Sequence, residues 1–254
     1  MVSIIQEGEY EKINNFYIIK GQMDSIEIHS LICILEFLNK IFSEIFSKDI
    51  MQNEICKIYN DPTATCPMLF YTEPISIRLT LESTTFLNQL VYQLSHELCH
   101  YAIRANNKNM SGKLKRFEEI LCESFSLYIL VVTSQRWQEC KLSETKPGYD
   151  KYLMSYFTST YANGEGHSIN SKMTPEEYIN DNSNCESNRE GHIAERNHML
   201  SLFREYPDKV TEIIQYTNYI KKDKSLLIDF DLWSLNTINK SFVKALSVVQ
   251  PQIV

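Results

Sequence analysis

The chain has 254 residues, 43% apolar and 22% charged, close to the averages of globular domains, which excludes a disordered or fibrous class. A formal charge of −7 with no dense lysine or arginine block gives no electrostatic footprint for nucleic acid or an anionic membrane. Seven cysteines, odd in number and without a Cys-x-x-Cys pair, argue against a disulfide framework, and several sit in apolar runs as buried thiols do.

Only 7 glycines and 7 prolines in this length point to a mostly helical protein. The first residues, MVSIIQEGEYEK, are acidic and lack the basic start and apolar run of a secretion signal, so the expected compartment is the cytoplasm. From Asp24 to about Tyr59, residues such as Leu31, Ile32, Leu35, Leu38, Phe42 and Ile45 recur at spacings of three and four, which predicts one long amphipathic core helix. Glu27, His29, Glu36, Lys40 and Glu44 interrupt it, against a membrane span of about 20 apolar residues. Asp61-Pro62 breaks the pattern. Ile75, Ile77, Leu79 and Leu81 then alternate with Ser76, Arg78 and Thr80, which predicts a half-buried strand paired with Met68 to Tyr71 across Thr72-Glu73-Pro74. Ser83, Thr84 and Thr85 are N-cap candidates for a helix reaching about Ala105, and a second helix is expected from about Lys113 to Ser134.

Beyond Trp137 the pattern weakens. Thr145 to Gly148 reads as a turn, Tyr149 to Tyr161 as an aromatic-rich segment, Ala162 to Lys172 as a loop and Asp181 to Gly191 as a polar stretch. Thr174-Pro175-Glu176-Glu177 has the form of a capped helix start, and helices are expected over His192–Glu205, Asp208–Lys221 and Leu235–Val249. The fold expected is helix-rich α+β. Residues 1–135 form a core with a small β-sheet beside a central helix, and residues 136–254 a mainly helical C-terminal part that is either separate or completes the same domain.

The chemistry concentrates at His96-Glu97-Leu98-Cys99-His100, an HExxH sequence on the helix after the strand. Two histidines four apart on a helix differ by about 40° around the axis, so both imidazoles can reach one tetrahedral zinc while the intervening glutamate flanks it. Leu87, Leu90, Val91, Leu94 and Leu98 form the apolar stripe of this helix. His96, His100, Gln89 and Gln93 lie opposite, as on a core helix lining a polar cleft. On the next helix Glu119, Glu123 and Ser126 face away from Leu121, Phe125, Tyr128 and Val132. The two acids are either an exposed acidic face or a third zinc ligand with a supporting carboxylate.

The pair of motifs resembles the gluzincin metallopeptidases, in which HExxH is followed some twenty residues on by a glutamate in ExxAD or ExxSD. Here the second motif stands as Glu119-Ile120-Leu121-Cys122-Glu123-Ser124-Phe125-Ser126, with Cys122 where a smaller residue is usual and Glu123 where Asp is usual. The resemblance implies a zincin-like fold, hydrolysis of peptide bonds, one Zn2+ per chain held by His96, His100 and Glu119, Glu97 as general base, and Glu123 as the acid that orients His96. The run ISIRLTLES followed by FLNQLVYQLSHELCH, and Phe125 to Leu130 after the ligand helix, is also similar to the ImmA/IrrE group of regulatory peptidases, over about residues 68 to 132. The metzincin pattern fails, because Ile103 stands where its Gly is needed and Asn106 where its third His is needed.

Other residues carry weaker signals. His192 and His198 are six apart and read as exposed or capping, His29 as a helix-face residue and His167 as a loop residue. Cys99 reads as a buried thiol, and Tyr149, Tyr152 and Tyr156 as core aromatics with an outside claim on oxyanion stabilisation. The expected partner is a peptide or protein substrate, which the strand from Ile75 to Leu81 binds by backbone pairing. Two rivals stand beside the peptidase. One is a zinc-binding regulator of the same fold without turnover, and the other a helical interaction module with an accidental HExxH.

Overall fold

Two successive asparagines, Asn14 and Asn15, close the first hairpin of the protein, with Asn14 at φ 55°. Asparagine tolerates this left-handed conformation better than most residues, and it matches the twist of a two-residue hairpin turn. The computed structural model describes residues 10–162, 169, 172–184, 192–223 and 225–254. By compactness the chain divides into two units, Met1–Tyr101 with Ile129–Tyr156, and Ala102–Tyr128 with Phe157–Val254. Residues 136–156 of the expected C-terminal part thus fall in the first unit and 157–254 in the second.

In the first unit, β1 (Tyr10–Ile13) and β2 (Phe16–Ile19) form the antiparallel hairpin, and α1 (Ser25–Phe46) follows. Asp24 and Glu27 close a reciprocal capping box on α1: the Asp24 side chain accepts from the backbone N–H of Ile26 and Glu27, and Glu27 accepts from that of Asp24. Its buried face carries Leu31, Leu35, Leu38 and Phe42 of the expected spacing together with Ile34 and Ile41, whereas Ile32 and Ile45 are half-buried.

The helix does not run to Tyr59. Ser47 sits at φ 88° and ends it, a single short turn α2 (Lys48–Met51) follows, and residues 56–60 form the strand β3 (Cys56–Asn60). The buried Cys56 and Ile58 alternate there with the half-buried Lys57 and Tyr59, a period of two hidden within spacings that also fit a helix.

The expected hairpin of β4 (Met68–Phe70) and β5 (Ile75–Leu79) is present, antiparallel with Leu69 opposite Ile77. The sheet order is β1-β2-β3-β5-β4, with β2, β3 and β5 parallel. This overturns one expectation: β5 is paired on both edges, by β3 and β4, so it has no free edge for a substrate. Beyond its end, the Asn60 carboxamide donates to the Leu81 carbonyl and accepts from the Leu81 N–H, both at 2.9 Å, continuing the β3–β5 pairing with a side chain.

The two long helices α3 (Leu87–Asn106) and α4 (Lys115–Gln135) begin and end within three residues of the expected positions, and the division between units falls inside both. The expected turn at Thr145 to Gly148 precedes α5 (Asp150–Ala162), with Gly148 at φ 77°, a conformation that glycine adopts without strain.

In the second unit, β6 (Lys172–Met173) precedes α6 (Pro175–Asn184), which starts with the expected Thr174/Glu177 box. The helix α7 (Ile193–Glu205) agrees with expectation. Residues 207–219 wind as a 3-10 helix rather than an α-helix. The long helix expected over 235–249 is instead α8 (Phe230–Leu235), α9 (Lys240–Leu246) and a 3-10 turn over 247–249. The strand β7 (Gln252–Ile253) pairs in parallel with β6. No helix among the described residues is long and apolar enough to cross a membrane. The architecture is α+β and rich in helix, as expected.

Arg116, near the start of α4, is a buried knot of this unit. Its guanidinium donates to Asp181 at 2.6 Å, to Glu195 at 3.2 Å and to the Val249 carbonyl at 3.3 Å, while Asn182 accepts its backbone N–H. Three segments distant in sequence therefore converge on one residue of α4.

Candidate metal centre

The position of α3 within the first unit follows from its apolar residues and three polar tethers. Leu87, Leu90, Leu94 and Leu98 are fully buried, each stabilising by about 1.5 to 3 kcal/mol relative to exposure. At the start of α3, Thr84 Oγ1 donates to the Glu27 carbonyl at 2.8 Å. Midway, the Gln93 carbonyl oxygen accepts the Thr80 N–H at 3.0 Å, joining the helix to the segment after β5. One residue past His100, the Tyr101 hydroxyl donates to the Glu54 carbonyl at 2.8 Å and accepts from Asn15 at 2.9 Å. Burial raises the Tyr101 phenol well above its ordinary range, against a smaller opposing effect of the bond from Asn15, so it stays a neutral donor. The helical pattern exposed the leucines; the tethers come from residues 13 to 86 positions away and had no local signal.

His96, Glu97 and His100 are 4%, 2% and 6% exposed, so the middle of α3 is buried on its polar side as well. A glutamate is almost never fully buried without a partner. The Nε2 atoms of His96 and His100 lie 3.2 Å apart, with ring centroids 4.9 Å apart. Two zinc–nitrogen bonds of about 2.0 to 2.1 Å at a tetrahedral angle would set their nitrogens about 3.3 to 3.4 Å apart. Ligand atoms of His96, His100 and the half-buried Glu119 all fall within 4.8 Å of one another, and these three are the group of this kind found among the described residues. Two nitrogens and one carboxylate oxygen are the donor set of a catalytic zinc site with an open position, so the residues present fit the ion.

The Cys56 thiol on β3 is pushed far above its usual range, first by burial and to a lesser degree by the negative charge of Glu97. Cys99 is fully buried, in keeping with an inert thiol, as are Cys33, Cys56, Cys122 and Cys140; Cys185 lies outside the described residues.

Glu123 accepts from Arg196 Nη1 at 3.2 Å. Arg196 is itself buried and also donates to the Thr160 carbonyl and the Asn197 side chain, and its own carbonyl accepts from Ser124 Oγ at 3.0 Å. No sequence pattern marked Arg196, because its partners are 36 and 73 positions away. Glu118 is 1% exposed and accepts from the Gly112 N–H at 2.9 Å and from the Tyr216 hydroxyl. It is a structural carboxylate, held by partners 6 and 98 positions away in sequence.

The remaining expectations fare unevenly. His192 is buried rather than exposed or capping: it makes no cap bond to α7, lies 3.6 Å from Asp181, and burial pushes its pKa down. His198 Nε2 lies 3.2 Å from the Ala245 carbonyl, His29 lies on α1 with Nε2 3.6 Å from Cys33 Sγ, and His167 lies outside the described residues. Tyr149 packs tilted between Trp137 and Tyr152, Tyr156 packs edge-on to Tyr92, and Tyr152 is largely exposed.

No family model matches the chain, and no curated protein or solved structure matches it either.

Proposed function

We propose that this chain is a zinc-dependent endopeptidase of the gluzincin type, with His96, His100 and Glu119 as ligands of one zinc ion and Glu97 as general base. The observation that carries this reading is the convergence of the three ligand side chains to within 4.8 Å, from two motifs more than twenty residues apart. A zinc ion bound there supplies Lewis-acid polarisation of a carbonyl and lowers the pKa of its water.

The chain's own residues do the rest. Glu97 stands about 100° from His96 and about 60° from His100 around the helix, beside the ligands rather than among them. Its carboxylate takes the proton of the attacking water and passes it to the nitrogen of the leaving amine. Glu123, one turn beyond Glu119, is the acid we assign to orient His96, with Arg196 fixing its carboxylate. An extended substrate adds to the outer edge of β4, since β5 is paired on both sides. Free cysteines throughout the described residues fit a reducing compartment, which supports a cytoplasmic setting.

Incubating the zinc-loaded protein with a cell lysate and mapping new peptide termini tests the activity. Termini produced by the wild type and missing with Glu97→Gln support it, and their absence across varied lysates favours the zinc-binding regulator.

The ligand assignment has its own test, by titration of zinc into metal-free protein. Glu119→Ala should lose most of the zinc affinity, and Glu123→Ala should weaken it by about 10- to 100-fold. For the neighbour, Glu118→Gln is the control of choice, because it keeps the size and most bonds of a buried group that Glu118→Ala would strip. It should leave affinity unchanged. Full affinity in Glu119→Ala with loss in Glu123→Ala would transfer the ligand role to Glu123.

A further inference from the structure

The five-stranded sheet of the first unit has two unlike faces. Phe16, Ile18, Cys56, Ile58, Ile75 and Ile77 are 0% exposed and form the face turned to the core. The alternate positions form the other face, and each keeps access to solvent: Lys12 is exposed and the rest are half-buried.

Strand register lays out this outer face in rows across the sheet. One row runs Lys12, Tyr17, Lys57, Ser76 and Phe70, each opposite the next on the neighbouring strand. Beside it, Tyr10 stands opposite Ile19, and Arg78 stands opposite both Tyr59 and Met68. The cations Lys12, Lys57 and Arg78 are thus interleaved with aromatic rings, and no carboxylate belongs to these rows. Among the described residues none of the three is in an ion pair. The acid that acts on Arg78 is Asp61, beyond the end of β3, which accepts from the Thr63 N–H and hydroxyl. Cation and ring are in contact at both edges of the sheet. The Lys12 ammonium stands 5.3 Å from the centre of the Tyr17 ring, and the Arg78 guanidinium 5.2 Å from that of Phe70. The Cys66 carbonyl holds Arg78 there, accepting from Nη2 at 3.2 Å.

Such a face suits a polymer in which anions alternate with flat rings, because phosphates meet cations while unpaired bases stack on aromatic side chains. An acidic peptide would use the cations and leave the rings without partners, and a duplex keeps its bases inside. Strands about 4.8 Å apart make the sheet about 19 Å wide, room for about three nucleotides. The hydroxyls of Ser76, Tyr17 and Tyr59 add partners for the 2′-hydroxyl that distinguishes RNA from DNA.

We propose that the outer face of this sheet binds single-stranded RNA, with phosphates on Lys12 and Lys57, bases on Tyr17, Tyr59 and Phe70, and Arg78 adding its charge beside Phe70. The cations come from three strands, so the linear sequence shows no basic block, and the net charge of −7 is carried elsewhere on the chain. The face shares no residue with the metal centre, and the inference stands independently of the peptidase reading.

Fluorescence anisotropy of a labelled uridine decamer with the full-length protein tests it. The decamer should bind, and raising the salt from about 50 to about 200 mM should lower its affinity about 20-fold, as three neutralised phosphates of a single strand require. Lys12→Gln and Lys57→Gln should each weaken binding and reduce the salt slope by about 0.7. Tyr17→Leu and Tyr59→Leu should each weaken it at least about 5-fold and leave that slope unchanged. Lys48→Gln, at an exposed lysine of α2 outside this face, should bind as the wild type does. Circular dichroism confirms that each variant is folded, and if a tyrosine variant does not fold, the lysine variants decide. The deoxyuridine decamer and the duplex with oligoadenosine should bind at least about 3-fold more weakly. Failure of the wild type to bind the decamer overturns the proposal, as does binding that both lysine variants leave unchanged. Equal affinity for the deoxy decamer, or displacement of the RNA by an equal concentration of hexaglutamate, also overturns it.

Discussion

Glu97→Gln should lower the rate of peptide cleavage by at least about 100-fold while the zinc content stays at the wild-type level. The side chain is 2% exposed in the middle of α3, so a variant of equal size preserves the packing around it. What the variant lacks is a carboxylate able to take a proton. The loss should fall on kcat rather than KM, because Glu97 acts on the water proton and not on the binding of the substrate. Cleavage at the wild-type rate by a zinc-loaded Glu97→Gln protein would remove the proposed general base.

Arg116→Met should destabilise the protein by about 3 to 5 kcal/mol, one of the largest effects of any single substitution away from the metal centre. The guanidinium is 3% exposed, and its removal leaves the carboxylates of Asp181 and Glu195 buried without their main counter-charge. Adding Asp181→Asn and Glu195→Gln to Arg116→Met should recover much of the loss, because the cost lies in the uncompensated charges rather than in the missing bonds. Urea unfolding followed by circular dichroism measures both. A midpoint unchanged in Arg116→Met would show that water reaches these carboxylates in the folded protein. Since Arg116 stands one turn before Glu119 on α4, the single variant should also bind zinc more weakly than its charge-neutralised triple counterpart.

The parts of the fold legible in the sequence are those held by local pattern. The leucine stripe of α3, the alternation of β5 and the Thr174/Glu177 box each act over a few residues, and each stands where expected. The HExxH pair is legible for the same reason: one helical turn brings His96 and His100 together. Glu119 required a second motif and a chemical argument about ligand number.

What stayed hidden depends on distant partners or on short elements. β1 and β2 have four residues each, and their signal was the Asn14-Asn15 turn between aromatic and β-branched runs, masked by the charged residues around Tyr10. β3 was absorbed into the helix before it, because Ile55 and Ile58 continue a three-and-four spacing and only the conformation of Ser47 interrupts it. The segment from Asp208 to Tyr219 has helical periodicity but winds as a 3-10 helix, a difference of hydrogen-bond register that periodicity does not resolve. Arg196 and Tyr101 hold α4 and α3 through contacts up to 86 positions away, and no local pattern reports such contacts.

The central claim is that His96, His100 and Glu119 hold a zinc ion, and elemental analysis of the purified protein tests it most directly. Protein expressed with adequate zinc and purified without added metal should carry about one zinc per chain, as expected of a site with three protein ligands. His96→Ala/His100→Ala, purified in parallel and shown to be folded, should carry less than about a tenth of that, since it keeps only one of the three ligands. A wild-type protein without zinc, or a variant that retains the wild-type amount, would contradict the account.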